Sequence, residues 1–161
     1  MSYKFLLFDL DHTLLDFDTA EDIALTHFLE EQGVTEVQTY KDYYIPMNKG
    51  LWRELEQGKI TKLELVNTRF FRLFAHFGVE KDNAELAFLY QQHITQQGQT
   101  YAGTSKLLDS LTAADYEIYG ATNGITAIQT GRMAHFDFSP YFNHIFISEK
   151  MGTIEDRKSV V

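Results

Sequence analysis

The chain has 161 residues, of which 44% are apolar, and it carries 23 Asp and Glu against 14 Lys and Arg, for a net charge of −9. That length suits one domain, and the 13 Phe and 9 Tyr supply bulky core material, which argues against wholesale disorder. The absence of cysteine excludes disulfides and thiolate chemistry. The acidic balance argues against nucleic-acid binding, and no run is long enough for a membrane span, so we expect a cytoplasmic protein.

The chain opens with an apolar strand and then changes to helical periodicity. Residues 3–8 form a nearly continuous apolar run, which is typical of a strand buried in a parallel sheet. From about residue 16 to 97 the apolar positions recur at helical spacing, and we predict four helices. The second covers about Thr39 to Gln57, and we expect Pro46 to kink it or to delay its start.

The predicted helix ends carry recognisable capping residues. Thr61 with Glu64, and Asp82 with Glu85, have the spacing of N-terminal caps. Four glycines stand where the helices are expected to stop: Gly33, Gly58, Gly78 and Gly98.

Helix and strand alternate in the last third of the chain. We predict helices over 104–114 and 126–136 and strands over 117–121 and 144–148. This order predicts an α/β fold with a parallel sheet and a helical insertion after its first strand. We therefore assign residues 1–15 and 99–161 to the α/β core and residues 16–98 to the inserted helical domain.

Two carboxylates follow the first strand, in the segment Asp9-Leu10-Asp11-His12-Thr13. The carboxyl ends of parallel strands are where such sheets bind ligands. Two anions held together repel unless a cation or a shared proton offsets their charge, and oxygen ligands without cysteine favour Mg²⁺. The alternative is a helix cap or a solvated loop, which the Asp-x-Asp pattern alone leaves open.

With the strand before it and the helical insertion after it, this segment resembles the first motif of the haloacid dehalogenase superfamily. The resemblance implies a Rossmann-like α/β core with a helical cap and an aspartyl-phosphate mechanism. Asp9 would be the nucleophile, and Asp11 would be the general acid and base. The Asp9 carboxylate and the Asp11 main-chain carbonyl would hold Mg²⁺. Thr13 would fix Asp11 in place, and His12 would face the ligand.

A second anion-binding pattern follows the second predicted strand, in Gly120-Ala121-Thr122-Asn123-Gly124. It places a hydroxyl and backbone N–H groups at a helix N-terminus, although the same turn also occurs as a plain connector. It is similar to the superfamily's second motif. The resemblance makes Thr122 the phosphate-binding hydroxyl, with Asn123 and Gly124 beside it.

The inserted domain narrows the resemblance further. The segments over residues 47–52 and 55–61, with Ile147-Ser148-Glu149, are similar to pyrimidine 5′-nucleotidases that clear non-standard nucleoside monophosphates. The substrate implied is a small phosphate ester. Trp52 would stack on a base or fill the core of the cap, and a core role is favoured.

The pattern departs from the superfamily near the end of the chain. The lysine of the third motif is expected at about Glu155-Asp156, where acids stand, and no residues remain for the acidic pair of the fourth motif. We therefore interpret the chain as a C-terminally truncated member that lacks its last strands. Residues 5–8 would then form an unpaired apolar edge that favours self-association.

Two hypotheses of function follow. The first is a Mg²⁺-dependent phosphohydrolase of nucleoside 5′-monophosphates, inactive or nearly so in this truncated form. The alternative is a non-catalytic remnant that binds phosphate or nucleotide weakly or acts only as an interaction fragment. Asp11 disfavours a dehalogenase, and a phosphomutase stays open although His12 replaces the glycine usual in that branch.

Overall fold

A computed structural model describes residues 4–147. The expectations for residues 148–161, including Glu155 at the place of the family's lysine, lie outside the described residues. The elements follow in chain order: β1 (Phe5–Asp9), α1 (Phe17–Glu31), α2 (Val37–Glu56), α3 (Lys62–His76), α4 (Asn83–Ile94), α5 (Thr104–Ala113), β2 (Glu117–Thr122), α6 (Thr126–Ala134), a short 3-10 turn (Ser139–Tyr141) and β3 (His144–Ile147).

The three strands form a parallel sheet in the order β1-β2-β3. Phe5 pairs with Glu117 and Asp9 with Ala121, while Tyr119 pairs with His144. The α/β class with a parallel sheet, predicted from the element order, is confirmed. β1 is an edge strand of this sheet, pairing with β2 alone among residues 4–147.

The helices α5 and α6 both pack on one face of this sheet. Right-handed crossovers that advance the strands in one direction place their helices on the same side. The resulting core comprises Leu10, Leu14, Leu15, Leu108, Ile118 and Phe136, with Phe8, Leu111, Met133 and Ile145 packed against it. On the opposite face the Phe5, Tyr119 and Phe146 rings form a row with centroids 6.4 Å apart, and Phe5 and Leu7 are 41% and 37% exposed.

A second compact unit covers Ala24–His93, while residues 4–23 and 94–147 belong to the unit with the sheet. In this helical unit Phe70 is the central ring, with its centroid 4.7 Å from Phe28, 4.6 Å from Tyr90 and 5.1 Å from Tyr44. Its limits lie a few residues inside the predicted insertion at 16–98, whose role as a cap stays a prediction.

The capping residues act as predicted. The Glu64 N–H donates to the Thr61 hydroxyl over 3.1 Å, and the Glu85 N–H donates to the Asp82 carboxylate over 3.0 Å. The expected delay at Pro46 is wrong, because α2 begins at Val37 and includes Pro46 in its interior. Within residues 4–147, the helices fall short of the length and apolarity that a membrane span requires.

Gly98 ends no helix, although its three predicted counterparts at residues 33, 58 and 78 have the left-handed backbone typical of helix ends. Its role is close packing, because an added Cβ would lie 2.4 Å from the His135 carbonyl oxygen. Gly131, inside α6, is equally confined, since its Cβ would lie 2.5 Å from the Thr95 Cβ. Because these two glycines lack a side chain, α6 can pack directly against residues 95–98.

We expect Gly131→Ala to destabilise the protein although alanine is the better helix former. The added methyl group must displace Thr95, at a cost of about 1–3 kcal/mol. The matched control is Gly50→Ala in the interior of α2, where the nearest atom to an added Cβ is the Arg53 Nη2 at 3.9 Å. There alanine should raise the free energy of unfolding by about 0.5–1 kcal/mol. Urea unfolding measures both, and equal stabilisation by the two substitutions would contradict the close packing.

Candidate active site

A tight turn follows β1 and carries the second carboxylate of the motif. The Leu10 carbonyl accepts hydrogen bonds from the N–H groups of Thr13, Leu14 and Leu15 at 3.3, 2.9 and 2.9 Å. Leu10, Leu14 and Leu15 are buried in the core and anchor this turn. His12 adopts a left-handed backbone with φ of 67°, a conformation that histidine tolerates better than most residues. Asp11 therefore lies in a turn whose backbone is held by hydrogen bonds to the Leu10 carbonyl and by the buried leucines before and after it.

The Asp11 carboxylate is held by three side chains from β2 and α6. Arg132 Nη1 donates to Oδ1 at 2.8 Å and to Oδ2 at 3.0 Å. Gln129 Nε2 donates to Oδ2 at 2.8 Å and to the Thr122 hydroxyl at 2.6 Å. The Thr122 hydroxyl lies 3.4 Å from Oδ2, at the end of the neighbouring strand.

Arg132 is the buried cation of this cluster, with an exposed fraction of 0%. Its Nε donates to the Gln97 carbonyl at 3.1 Å, Nη1 also donates to Gln129 Oε1 at 3.1 Å, and the guanidinium lies 5.3 Å from the Phe17 ring centroid. Nη2 is buried and makes no hydrogen bond within the described residues. A buried guanidinium depends on its carboxylate partner, because an unpaired buried charge costs several kcal/mol.

The predicted site residues collect at the carboxyl ends of β1 and β2. Asp9 ends β1 with an exposed carboxylate that makes no hydrogen bond or ion pair among residues 4–147. Thr122 ends β2 and is fully buried in contact with Asp11, whereas Asn123 is exposed and Gly124 buried just before α6. His12 is exposed, and its ring centroid lies 5.7 Å from that of Phe17.

Within residues 4–147 the Thr13 side chain is exposed and makes no hydrogen bond to Asp11, so its role in fixing Asp11 stays a prediction. In the same range the side-chain hydrogen bonds to Asp11 come from Gln129, Arg132 and Thr122. Sequence reasoning missed Gln129 and Arg132, although their spacing of three residues on a short helix puts two long polar side chains on one face, which was an available signal.

Two further groups near this turn have shifted pKa values. The pKa of Asp16 lies below its usual range, chiefly because the Thr19 hydroxyl and N–H donate to its carboxylate at 2.6 and 3.1 Å. Desolvation raises the pKa of Tyr101 above its usual range, with smaller contributions in the same direction from Asp16, Asp18 and Asp11.

The oxygen atoms at this edge suit a magnesium ion with few protein ligands. Residues 4–147 contain no cluster of three acidic, histidine or cysteine side chains that could hold a metal ion. The Asp9 carboxylate is unengaged in the same range, and the Asp11 carbonyl accepts none of the turn's backbone hydrogen bonds. Mg²⁺ is commonly held by one or two carboxylates with water and substrate phosphate, so these donors fit it.

Comparisons with known proteins agree with this fold. A sequence profile described as haloacid dehalogenase-like hydrolase matches residues 6–156, and the chain belongs to that family. It is 65% identical over 153 residues to the pyrimidine 5′-nucleotidase PynA of Streptococcus pneumoniae, covering 95% of this chain and 65% of PynA. It is 28% identical over 160 residues to the pyrimidine 5′-nucleotidase YjjG of Escherichia coli, covering 99% of this chain and 69% of YjjG.

A solved structure extends the comparison to three dimensions. The magnesium-bound crystal structure of the putative HAD-hydrolase YfnB from Bacillus subtilis matches with a TM-score of 0.89 and 36% identity, covering 99% of this chain and 72% of that chain. The chain spans 65% of the length of PynA, which is slightly less than two-thirds.

We expect Asp11→Asn to destabilise the protein and Asp9→Asn to leave its stability unchanged. The first substitution removes the charge that pairs with the buried Arg132, at a cost of about 2–4 kcal/mol. The second changes an exposed carboxylate that has no partner among the described residues, with an effect below about 0.5 kcal/mol. Urea unfolding without divalent cations measures both, and a loss for Asp11→Asn as small as that expected for Asp9→Asn would show that the Asp11 ion pair contributes no stability.

Proposed function

We propose that this chain has the active-site framework of a Mg²⁺-dependent phosphohydrolase that acts on nucleoside 5′-monophosphates through an aspartyl-phosphate. One observation carries the proposal. Asp11, two residues beyond Asp9, is held against Thr122 at the end of the neighbouring strand, so the two motifs meet at one edge of the sheet. Membership of a hydrolase family supports the same reaction class.

The proposed reaction has two steps. An Asp9 carboxylate oxygen attacks phosphorus while the bond from phosphorus to the ester oxygen breaks, and Asp11 donates a proton to the departing alkoxide. Asp11 then takes a proton from the water that attacks the phosphorus of the acyl phosphate. This step releases inorganic phosphate and restores the Asp9 carboxylate.

The remaining groups bind and orient the phosphate. The N–H groups of Asn123 and Gly124 lie just ahead of α6, whose N-terminus favours an anion. Asp9 and the Asp11 carbonyl would hold Mg²⁺, which supplies positive charge for the phosphoryl oxygens. His12 and Thr13 are proposed as supporting residues of the loop, with His12 facing the ligand; both are exposed.

The proposed substrate class is a pyrimidine nucleoside 5′-monophosphate. PynA and YjjG are both named pyrimidine 5′-nucleotidases, and PynA is similar over 95% of this chain. We also infer a cytoplasmic location and no nucleic-acid partner, from the cysteine-free sequence and its net charge of −9.

A second candidate is a non-catalytic remnant that binds phosphate or nucleotide weakly. It is favoured by the lack, within residues 4–147, of a third acidic side chain grouped with Asp9 and Asp11. Loss of one group that stabilises transition-state charge typically raises the activation free energy by about 3 kcal/mol. We therefore expect at most trace turnover from this chain.

The test is phosphate release from a pyrimidine nucleoside 5′-monophosphate, measured at high protein concentration with Mg²⁺. We expect slow turnover that falls to the uncatalysed background on Asp9→Asn or on removal of Mg²⁺ by a chelator, because nucleophile and cation are both required. The matched control is Asp18→Asn, an exposed carboxylate on α1, which should leave the rate unchanged.

The outcomes separate the two candidates. Turnover that survives Asp9→Asn would contradict the aspartyl-phosphate mechanism. Nucleotide binding by calorimetry without any phosphate release would favour the remnant.

We also propose that β1 mediates self-association. Within the part of the chain that the structure describes, it is an edge strand of the sheet with Phe5 and Leu7 exposed, and such edges pair readily with another chain.

Leu7→Lys should reduce self-association, because a charge on the exposed strand opposes both edge pairing and apolar contact. The matched control is Leu63→Lys on α3, where the leucine is 70% exposed but lies on a helix. Sedimentation velocity over a concentration series measures the oligomeric state. Equal behaviour of both variants, or a monomeric unmodified chain, would contradict a role for β1.

A further inference from the structure

The Asp11 carboxylate has an asymmetric set of hydrogen bonds. Oδ2 accepts from Arg132, Gln129 and Thr122, whereas Oδ1 accepts from Arg132 alone among residues 4–147. A carboxylate oxygen has two lone pairs, so Oδ2 is saturated and Oδ1 keeps one lone pair for a further partner. The three side chains therefore select which oxygen of Asp11 can face a substrate.

The donors themselves are held by close packing. Gln129 and Arg132 are buried on α6, and Gly131 between them packs against Thr95 with no room for a Cβ. Arg132 Nε is also fixed by the Gln97 carbonyl at 3.1 Å. By contrast, Asp11 lies on a turn beyond the end of β1, where its side chain would otherwise rotate about two torsions.

We propose that Gln129 and Arg132 are positioning residues that orient Asp11 so that Oδ1 faces the leaving-group oxygen of the substrate. The proposal rests on the proposed phosphohydrolase function. The two residues act through Asp11 and touch no substrate. A proton donor held in one orientation contributes more to the reaction than one that samples several, since misplacement costs rate rather than binding.

A purely structural role would have different consequences from a positioning role. If the network only stabilised the fold, its loss would slow every substrate equally. If it orients a proton donor, its loss would matter most for a poor leaving group, which needs the proton, and least for p-nitrophenolate, which leaves without one. The comparison of two substrates therefore isolates the positioning role.

The test compares Gln129→Leu with the unmodified full chain, using kcat/KM because this ratio covers steps only up to departure of the leaving group. We expect about a tenfold or greater loss for a nucleoside 5′-monophosphate and less than about threefold for p-nitrophenyl phosphate, with KM unchanged. In an Asp11→Asn background, Gln129→Leu should have no further effect on either substrate. Gln38→Leu, an exposed glutamine on α2, is the matched control and should change neither rate.

Arg132→Lys gives a second variant that keeps the charge but loses the forked donors. We expect it to show the same preference for the good leaving group at a smaller loss than Arg132→Met. Equal losses on both substrates, for either Gln129→Leu or Arg132→Lys, would overturn the proposal.

A stability measurement, which does not depend on enzymatic activity, separates this proposal from the proposed function. Urea unfolding of Gln129→Leu, Asp11→Ala and the double variant measures the coupling between the two side chains. We expect it to exceed tenfold in the unfolding equilibrium constant. If the unmodified chain hydrolyses neither substrate, the proposed function fails, and a coupling below twofold would then also overturn the positioning of Asp11.

Discussion

The buried ion pair between Asp11 and Arg132 connects the parts of the α/β unit that matter for chemistry. Asp11 lies in the turn after β1. Arg132 lies on α6 and also donates a hydrogen bond to the carbonyl of Gln97. Because the guanidinium has no access to solvent, its charge is balanced only while the turn keeps its conformation. The stability of this unit and the geometry of its candidate site therefore depend on the same contact.

The hydrogen bonds that Gln129 and Arg132 make to Asp11 also bear on the role of Thr122. As a phosphate-binding hydroxyl it would be expected at the surface of a ligand site, yet it is fully buried and bonded to Gln129 and near Asp11. A phosphate group could reach this hydroxyl only by replacing one of these partners. The phosphate and the general acid would thus share one hydrogen-bonding group, which couples substrate binding to the orientation of Asp11.

Sequence patterns predicted the order and approximate limits of the strands and helices because apolar periodicity is a local property. They also predicted Asp9, Asp11 and Thr122 as neighbours, since strand ends in a parallel sheet meet at one edge. They did not predict Arg132 and Gln129 at Asp11. That contact depends on how closely α6 packs against residues 95–98. Gly98 and Gly131 permit this close packing, but no local sequence pattern indicates it.

The one-sided packing of α5 and α6 leaves a row of aromatic rings on the other face of the sheet. Parallel sheets are ordinarily covered on both faces, whereas among residues 4–147 the exposed Phe5 and Leu7 keep in water part of the apolar surface that folding usually removes. Unfolding then exposes less new apolar area for each residue of this unit. We expect its heat-capacity increment and its sensitivity to urea to be correspondingly smaller than the number of described residues alone would imply.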